Sequence, residues 1–172
     1  MLSHIVEAFT GKNEEENKKK IKGKVVLMKK NVLDFNDFGG SVLDRVHEFL
    51  GQKVSLQLIS SINGDPENKL KGKLGRAAYL EDWLTTFTSL TPGDSAFHVT
   101  FDWEEEEIGI PGAFIIQNFH HTEFYLKTLT LEDVPGHHGP IHFVCNSWVY
   151  PAERYKTDRV FFTNQVLHPL EL

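Results

Sequence analysis

Along residues 96–103, AFHVTFDW, apolar and polar side chains alternate: Phe97, Val99, Phe101 and Trp103 fall on one side, His98, Thr100 and Asp102 on the other. A period of two is the pattern of a strand with one wet face. Alternating or short β-branched runs recur in KVVLMKK (24–30), KVSLQLIS (53–60), GAFIIQN (112–118), EFYLKTLTLED (123–133), PIHFVCNSWVY (140–150) and DRVFFTN (158–164), with turn residues between them. In EFYLKTLTLED the apolar register passes from Phe124 and Leu126 to Leu129 and Leu131, which predicts a bulge or twist near Lys127. Only GGSVLDRVHEFLGQ (39–52) carries helical spacing. Its Val42, Val46, Phe49 and Leu50 share a face, Ser41 can cap the start and Gly51 follows the end, so one short helix is expected near 41–50. SINGDPENKLKGKLG (61–75) is dense in turn residues and reads as a long exposed loop, and GKNEEENKKKIKG (11–23) as a polar linker. Seven or eight strands with little helix predict an all-β, antiparallel β-sandwich.

Length and composition narrow the class without changing that picture. A chain of 172 residues with 40% hydrophobic and 24% charged residues is one ordinary globular domain with a short tail at each end. The net charge of −6 is uneven: eight of the 18 basic residues lie within residues 1–30 against four of the 24 acidic ones. The body is therefore near −10, which argues against nucleic acid as a partner, because phosphate binding needs a basic footprint. It equally disfavours purely electrostatic docking on an anionic membrane, so a membrane role would need exposed aromatics, a bridging cation or the lysine-rich N-terminus. Cys145 is the single cysteine, which excludes an internal disulfide and fits a reducing compartment. It reads as a small thiol buried in an apolar run rather than a nucleophile. No stretch approaches the apolar length of a membrane-spanning helix, no signal-peptide pattern follows Met1, and the cytosol is the expected location.

The chain offers little local chemistry. Nine histidines invite a metal site, but in GHHGPIH (136–142) Gly136, Gly139 and Pro140 make a turn, so the spacing of His137, His138 and His142 does not place them on one helix face. His120 and His121 are neighbours, which point apart on a strand, and read as a solvated loop. There is no nucleophile elbow and no glycine-rich phosphate loop. The acidic run Glu104 to Glu107 stands in water, where nothing desolvates a carboxylate enough to tune it for acid–base work. Hard cations take several oxygens from flexible loops, so Asp102, Glu104 and Glu105, beside Gly109, are a candidate calcium site, with Asp34 or Asp37 as further ligands. In YLEDWLTTFTSL (79–90), Trp83, Leu84 and Phe87 are candidates for membrane insertion from a loop tip, or for packing in a core or between domains. Trp148, inside a strand-like run, is a candidate for core or interdomain contact.

Seven blocks, in order, carry a resemblance: KGKVVLMKKNVLDF, LGQKVSLQLISS, GKLGRAAYLEDW, WEEEEIGIPGAFIIQN, FYLKTLTLEDVP, IHFVCNSWVYP and YKTDRVFFTNQ. Together they resemble the N-terminal region of plant lipoxygenases of the cytosolic linoleate 9-lipoxygenase type, over residues 20 to 165. That region of the family is the PLAT (lipoxygenase homology, C2-like) domain, an eight-stranded antiparallel β-sandwich. The resemblance implies residues 1–20 as a flexible N-terminal segment, 21–165 as the PLAT domain, and 166–172 as a tail or truncated linker. It also implies that the non-haem iron and its ligands belong to a catalytic domain absent here. This chain has no helical histidine motif and ends at Leu172, and NQVLHPLEL departs from the family's usual continuation.

The expectation is a non-catalytic module that carries no cofactor of its own beyond a possible calcium ion. Its expected partners are a membrane or lipid surface and a lipoxygenase catalytic domain. Two alternatives stay open: a fragment or short isoform of a linoleate lipoxygenase, a non-haem iron dioxygenase, and a stand-alone PLAT interaction protein of stress responses.

Overall fold

The computed structural model describes residues 19–29, 53–69, 71–83, 94–104 and 108–164. The helix expected near 41–50, and Asp34, Asp37, Leu84, Phe87, Glu105 and residues 166–172, lie outside these described residues. The described chain is all-β, with two 3-10 turns at Pro66–Asn68 and Ala152–Arg154. Its strands are β1 (Lys19–Lys29), β2 (Val54–Asp65), β3 (Lys71–Leu74), β4 (Ala78–Trp83), β5 (Asp94–Trp103), β6 (Pro111–Asn118), β7 (Phe124–Glu132), β8 (Ile141–Val149) and β9 (Arg159–Phe162).

Hydrogen bonds link them, all antiparallel, in the order β8-β7-β1-β5-β4-β2-β6-β9, with β3 added on β2. β4 is the corner between two layers, pairing with β5 at Leu80 and Trp83 and with β2 at Ala78 and Tyr79. The two ends of the path approach each other without a backbone ladder, and side chains cross the gap. The Val144 N–H donates to Asn164 Oδ1 at 2.7 Å, Thr163 Oγ1 donates to the His142 carbonyl at 3.2 Å, and the Arg159 guanidinium donates to Ser147 Oγ. The result is a sandwich nearly closed into a barrel.

The alternation read along 96–103 is the alternation of the fold. Phe97, Val99, Phe101 and Trp103 are buried between the layers, while His98 and Asp102 are exposed. The second layer supplies Leu56, Leu58, Phe114, Ile116 and Phe161, and Phe114 meets Phe143 of the first layer edge to face at 5.1 Å. Bringing these side chains out of water is the main force that holds the layers together.

Three expectations need correction. β1 begins at Lys19, so the sheet reaches two residues into the segment expected to be flexible and through the stretch read as linker. Lys20, Lys22 and Lys24 occupy the outer positions while Ile21, Gly23, Val25 and Leu27 point inward, so charge masked a strand. The stretch 61–75 is not a long loop: it holds the end of β2, a 3-10 turn capped by Asp65, and β3. His120 is 3% exposed, not solvated.

The bulge expected near Lys127 is present. Between Val26 and Leu27 the partners on β7 jump from Thr128 to Leu126, so Lys127 is the extra residue. On the other flank β8 compensates with an extra residue of its own, where Asn146 takes a left-handed φ of 42°. The displaced Lys127 Nζ reaches Asp94 Oδ2 at 2.7 Å, and the Asp94 side chain is only 5% exposed. Lys127→Ala takes away a charged partner of that buried carboxylate and is expected to lower stability by about 2 kcal/mol, read from the urea midpoint. Lys127→Met, which keeps the methylenes, should lose nearly as much; full recovery by Met would assign the loss to packing instead.

Candidate functional site

Strand register fixes where each candidate residue lies. β1 and β5 pair from Lys19↔Trp103 at one end to Met28↔Asp94 at the other, a span of about 30 Å. Asp102 and Glu104 sit at the first end. Trp83, whose Cα partner is Phe97, and Trp148, partner of Tyr125, lie toward the second. Asp102 and Glu104 are therefore on the opposite end of the sandwich from Trp83 and Trp148 and cannot form one site with them.

At the first end Asp102 is exposed on the outer face of β5, opposite Lys20 of β1. Glu104 faces Arg76 at 3.7 Å, and both side chains are largely open to solvent, a separation at which an exposed pair contributes about 0–1 kcal/mol. The carbonyl of Glu104 accepts the N–H of Ile108 at 2.9 Å. Among the described residues no three His, Cys, Asp or Glu side chains converge on a point that could hold a metal ion.

At the second end the structure assembles aromatic residues that the sequence reading passed over. Asn118, fully buried at the end of β6, organises the loop that follows. Its side-chain amide donates to the Thr122 carbonyl at 2.9 Å, and its Oδ1 accepts the His120 N–H at 2.9 Å. Phe119 N–H donates to the Lys53 carbonyl at 2.8 Å. With its backbone pinned this way, Phe119 stands 52% exposed.

The neighbouring loop after β8 is held by a 2.9 Å bond from Tyr150 N–H to the Tyr155 hydroxyl. That bond brings the two rings to 6.4 Å, and the Arg154 guanidinium sits 5.9 Å from the Tyr150 ring centre. Trp148 is half-buried against Tyr125, edge to face at 5.3 Å. Two grooves run beside these rings. One of about 260 Å³ lies between Ile116, Gln117, Tyr155, Lys156 and Arg159; one of about 130 Å³ lies between Phe119, His121 and Glu153. The available signal was the aromatic residue flanking each turn, NFHH and VYPAERY, which periodicity alone does not single out.

Cys145 is a half-buried thiol on β8, packed against the core with Sγ 3.6 Å from the Phe143 carbonyl. Burial pushes its pKa up to about 12, partly opposed by a backbone hydrogen bond and by Arg159. It stays protonated at neutral pH and is a poor nucleophile there.

The second end can therefore present aromatic rings, flanked by arginine and lysine, to a surface; among the described residues it holds no constellation suited to bond making. Comparison with known proteins agrees with the fold. The PLAT/LH2 domain family matches residues 54–162. The chain is 65% identical over 171 residues to a protein named probable linoleate 9S-lipoxygenase 5 of Solanum tuberosum, covering 99% of this chain and 20% of that one. It is 61% identical over 171 residues to linoleate 9S-lipoxygenase 1 of Arabidopsis thaliana, again over 99% of this chain and 20% of the relative. The chain thus spans about a fifth of the length of the relatives it matches.

Proposed function

The chain belongs to the PLAT/LH2 domain family, and from that premise we propose that it is a non-catalytic module that attaches to a membrane or lipid surface and positions a fatty-acid-oxygenating lipoxygenase region in oxylipin formation. Its place in the cell is then the cytoplasm, peripheral at membranes. The observation that carries the lipid half of this reading is the aromatic end, where Phe119 and Tyr150 are exposed beside Arg154. Tyr150, with an apolar ring and a polar hydroxyl, suits the boundary between headgroups and acyl chains, and Phe119 adds apolar area beside it. The acidic body makes charge alone an inadequate anchor. The protein half rests on similarity, since the relatives named as 9S-lipoxygenases are about five times as long as the matched region.

The test is co-sedimentation with vesicles of phosphatidylcholine, with and without phosphatidylserine and with and without calcium. Replacing both Phe119 and Tyr150 by alanine is expected to lower binding about tenfold, equivalent to about 1.4 kcal/mol, without changing the melting temperature. Failure of the unaltered chain to sediment under any of these conditions sinks the lipid reading. Calcium-dependent binding that Asp102→Asn abolishes and the aromatic replacements spare would move the contact to the opposite end.

A further inference from the structure

The groove of about 260 Å³ beside Tyr155 is lined by polar side chains that the fold does not use. Lys156 and Asp158 are exposed on the bend that leads into β9, two positions apart, and both line it. Opposite charges this near in the chain can pair, yet no ion pair joins them, and among the described residues neither has another partner. Thr157 and Gln117, on the same lining, make no side-chain hydrogen bond either. The Tyr155 hydroxyl accepts the Tyr150 N–H and keeps its own proton to donate. One group is fixed in place. The Arg159 guanidinium donates to Ser147 Oγ and lies 4.6 Å from the centre of the Phe161 ring, which leaves it N–H donors to spare beside the groove.

The groove therefore offers two positive groups and a hydroxyl donor together with a separate negative charge. A polyanionic headgroup would meet repulsion from Asp158, and a simple cation repulsion from Lys156 and Arg159; a ligand that carries both signs suits both. We propose that this groove is a headgroup site for a zwitterionic phospholipid, its phosphate taken by Lys156, Arg159 and the Tyr155 hydroxyl and its ammonium by Asp158. The inference rests on the reading of the aromatic end as lipid-facing and names the class of lipid. Placement supports it. Ala152 lines both this groove and the neighbouring one beside Phe119, so a headgroup held here has an exposed aromatic ring next to it for the start of its acyl chains. The groove is smaller than the roughly 300–1,000 Å³ that encloses a whole drug-sized ligand, a size that suits a headgroup whose chains stay in the bilayer. A body near −10 is repelled by an anionic surface but not by a zwitterionic one, so the site also fits the charge of the chain.

The experiment is co-sedimentation of the chain with vesicles of phosphatidylcholine, of digalactosyldiacylglycerol, which is neutral and has no phosphate, and of the galactolipid mixed with phosphatidic acid, whose phosphate carries no ammonium. The unaltered chain is expected to prefer phosphatidylcholine. Lys156→Gln should lower binding to both phosphate-bearing vesicles, and Asp158→Asn should lower binding to phosphatidylcholine, each by about fivefold, the size of one exposed charge pair. On phosphatidic acid Asp158→Asn should instead raise binding, because the repelling carboxylate is gone. Neither change should move the melting temperature, since neither side chain has a partner in the fold. Soluble phosphocholine in excess should displace the chain from phosphatidylcholine, and inorganic phosphate should not; equal displacement by the two would overturn the ammonium half of the site and with it the inference. A gain of binding by Asp158→Asn on every vesicle also overturns it, as does equal binding to phosphatidylcholine and galactolipid that neither substitution alters; in both cases the lipid reading of the aromatic end stands. Phosphocholine binding without sedimentation on any vesicle would assign the groove to a free phosphate ester and remove the lipid reading and this inference together.

Discussion

Phe114→Ala is expected to destabilise the chain by about 4 kcal/mol, in the range found when a buried aromatic is truncated and its cavity stays open. Phe114 has no exposed surface and lies where the layers meet, 5.1 Å from Phe143 at 88° and 5.4 Å from Phe161 at 25°. Phe143 belongs to β8 and Phe161 to β9, the two ends of the strand path. The ring therefore fills the interior just behind the gap that only side chains cross. A total stability of about 5–15 kcal/mol leaves such a variant marginal. The measurement is urea unfolding followed by tryptophan fluorescence, with Phe162→Ala as the control. Phe162 carries the same ring on the outside of β9, the strand paired with β6, and its removal should change stability by no more than about 0.5 kcal/mol. A loss under about 1 kcal/mol for Phe114→Ala would mean that the layers are not joined through this ring.

That contrast between neighbours shows what the sequence made legible. The central strands could be read because one face is buried and the other is wet, so period two survives in 96–103 and in the flanks of Lys127. The bulge was visible for the same reason: an extra residue shifts the apolar register, and Leu126 to Leu129 is such a shift. Where a strand has no dry-and-wet contrast the pattern fails. β4 offers only Ala78 and Leu80 as inward residues before the acidic Glu81 and Asp82, and it was not recognised as a strand. β3 was read as loop because of its glycine and lysines. A Cβ on Gly72 would lie 2.3 Å from the Ser60 carbonyl oxygen, so this glycine serves the close approach of β3 to β2 rather than a turn.

The aromatic end was less accessible for a different reason. Phe119, Tyr150 and Tyr155 lie far apart along the chain or across a turn, and only strand register brings the loops after β6 and β8 to the same end. Periodicity describes one element at a time; it cannot say which loops share an end. Of the acidic run, Glu104 lies at the other end, paired to Arg76.

Gly23→Val is expected to lower stability by about 3 kcal/mol, the upper part of the range for overpacking a filled core. Gly23 lies in the middle of β1, between Val99 of β5 and Leu131 of β7. A Cβ there would stand 2.7 Å from Val99 Cγ1, 3.2 Å from Phe101 and 3.3 Å from a Leu129 methyl. Glycine inside a strand usually weakens it, because it packs nothing and loses more backbone freedom on folding. Here the neighbours have grown into the vacant position, so the ordinary gain from restoring a β-branched residue is reversed by collision. The two explanations, crowding and backbone freedom, separate in a double-mutant cycle. Val99→Ala removes the atoms that the new side chain strikes. The pair Gly23→Val with Val99→Ala should recover at least about 1 kcal/mol relative to the sum of the single changes, a coupling of the size seen for residues in contact. Strict additivity would show that Val99 is not what excludes a side chain at position 23. Because β1 lies between β5 and β7 and Lys127 bulges out three residues further along it, the strain should reach the Lys127–Asp94 pair as well. Lys127→Ala is then expected to cost less in the Gly23→Val background than in the unaltered chain.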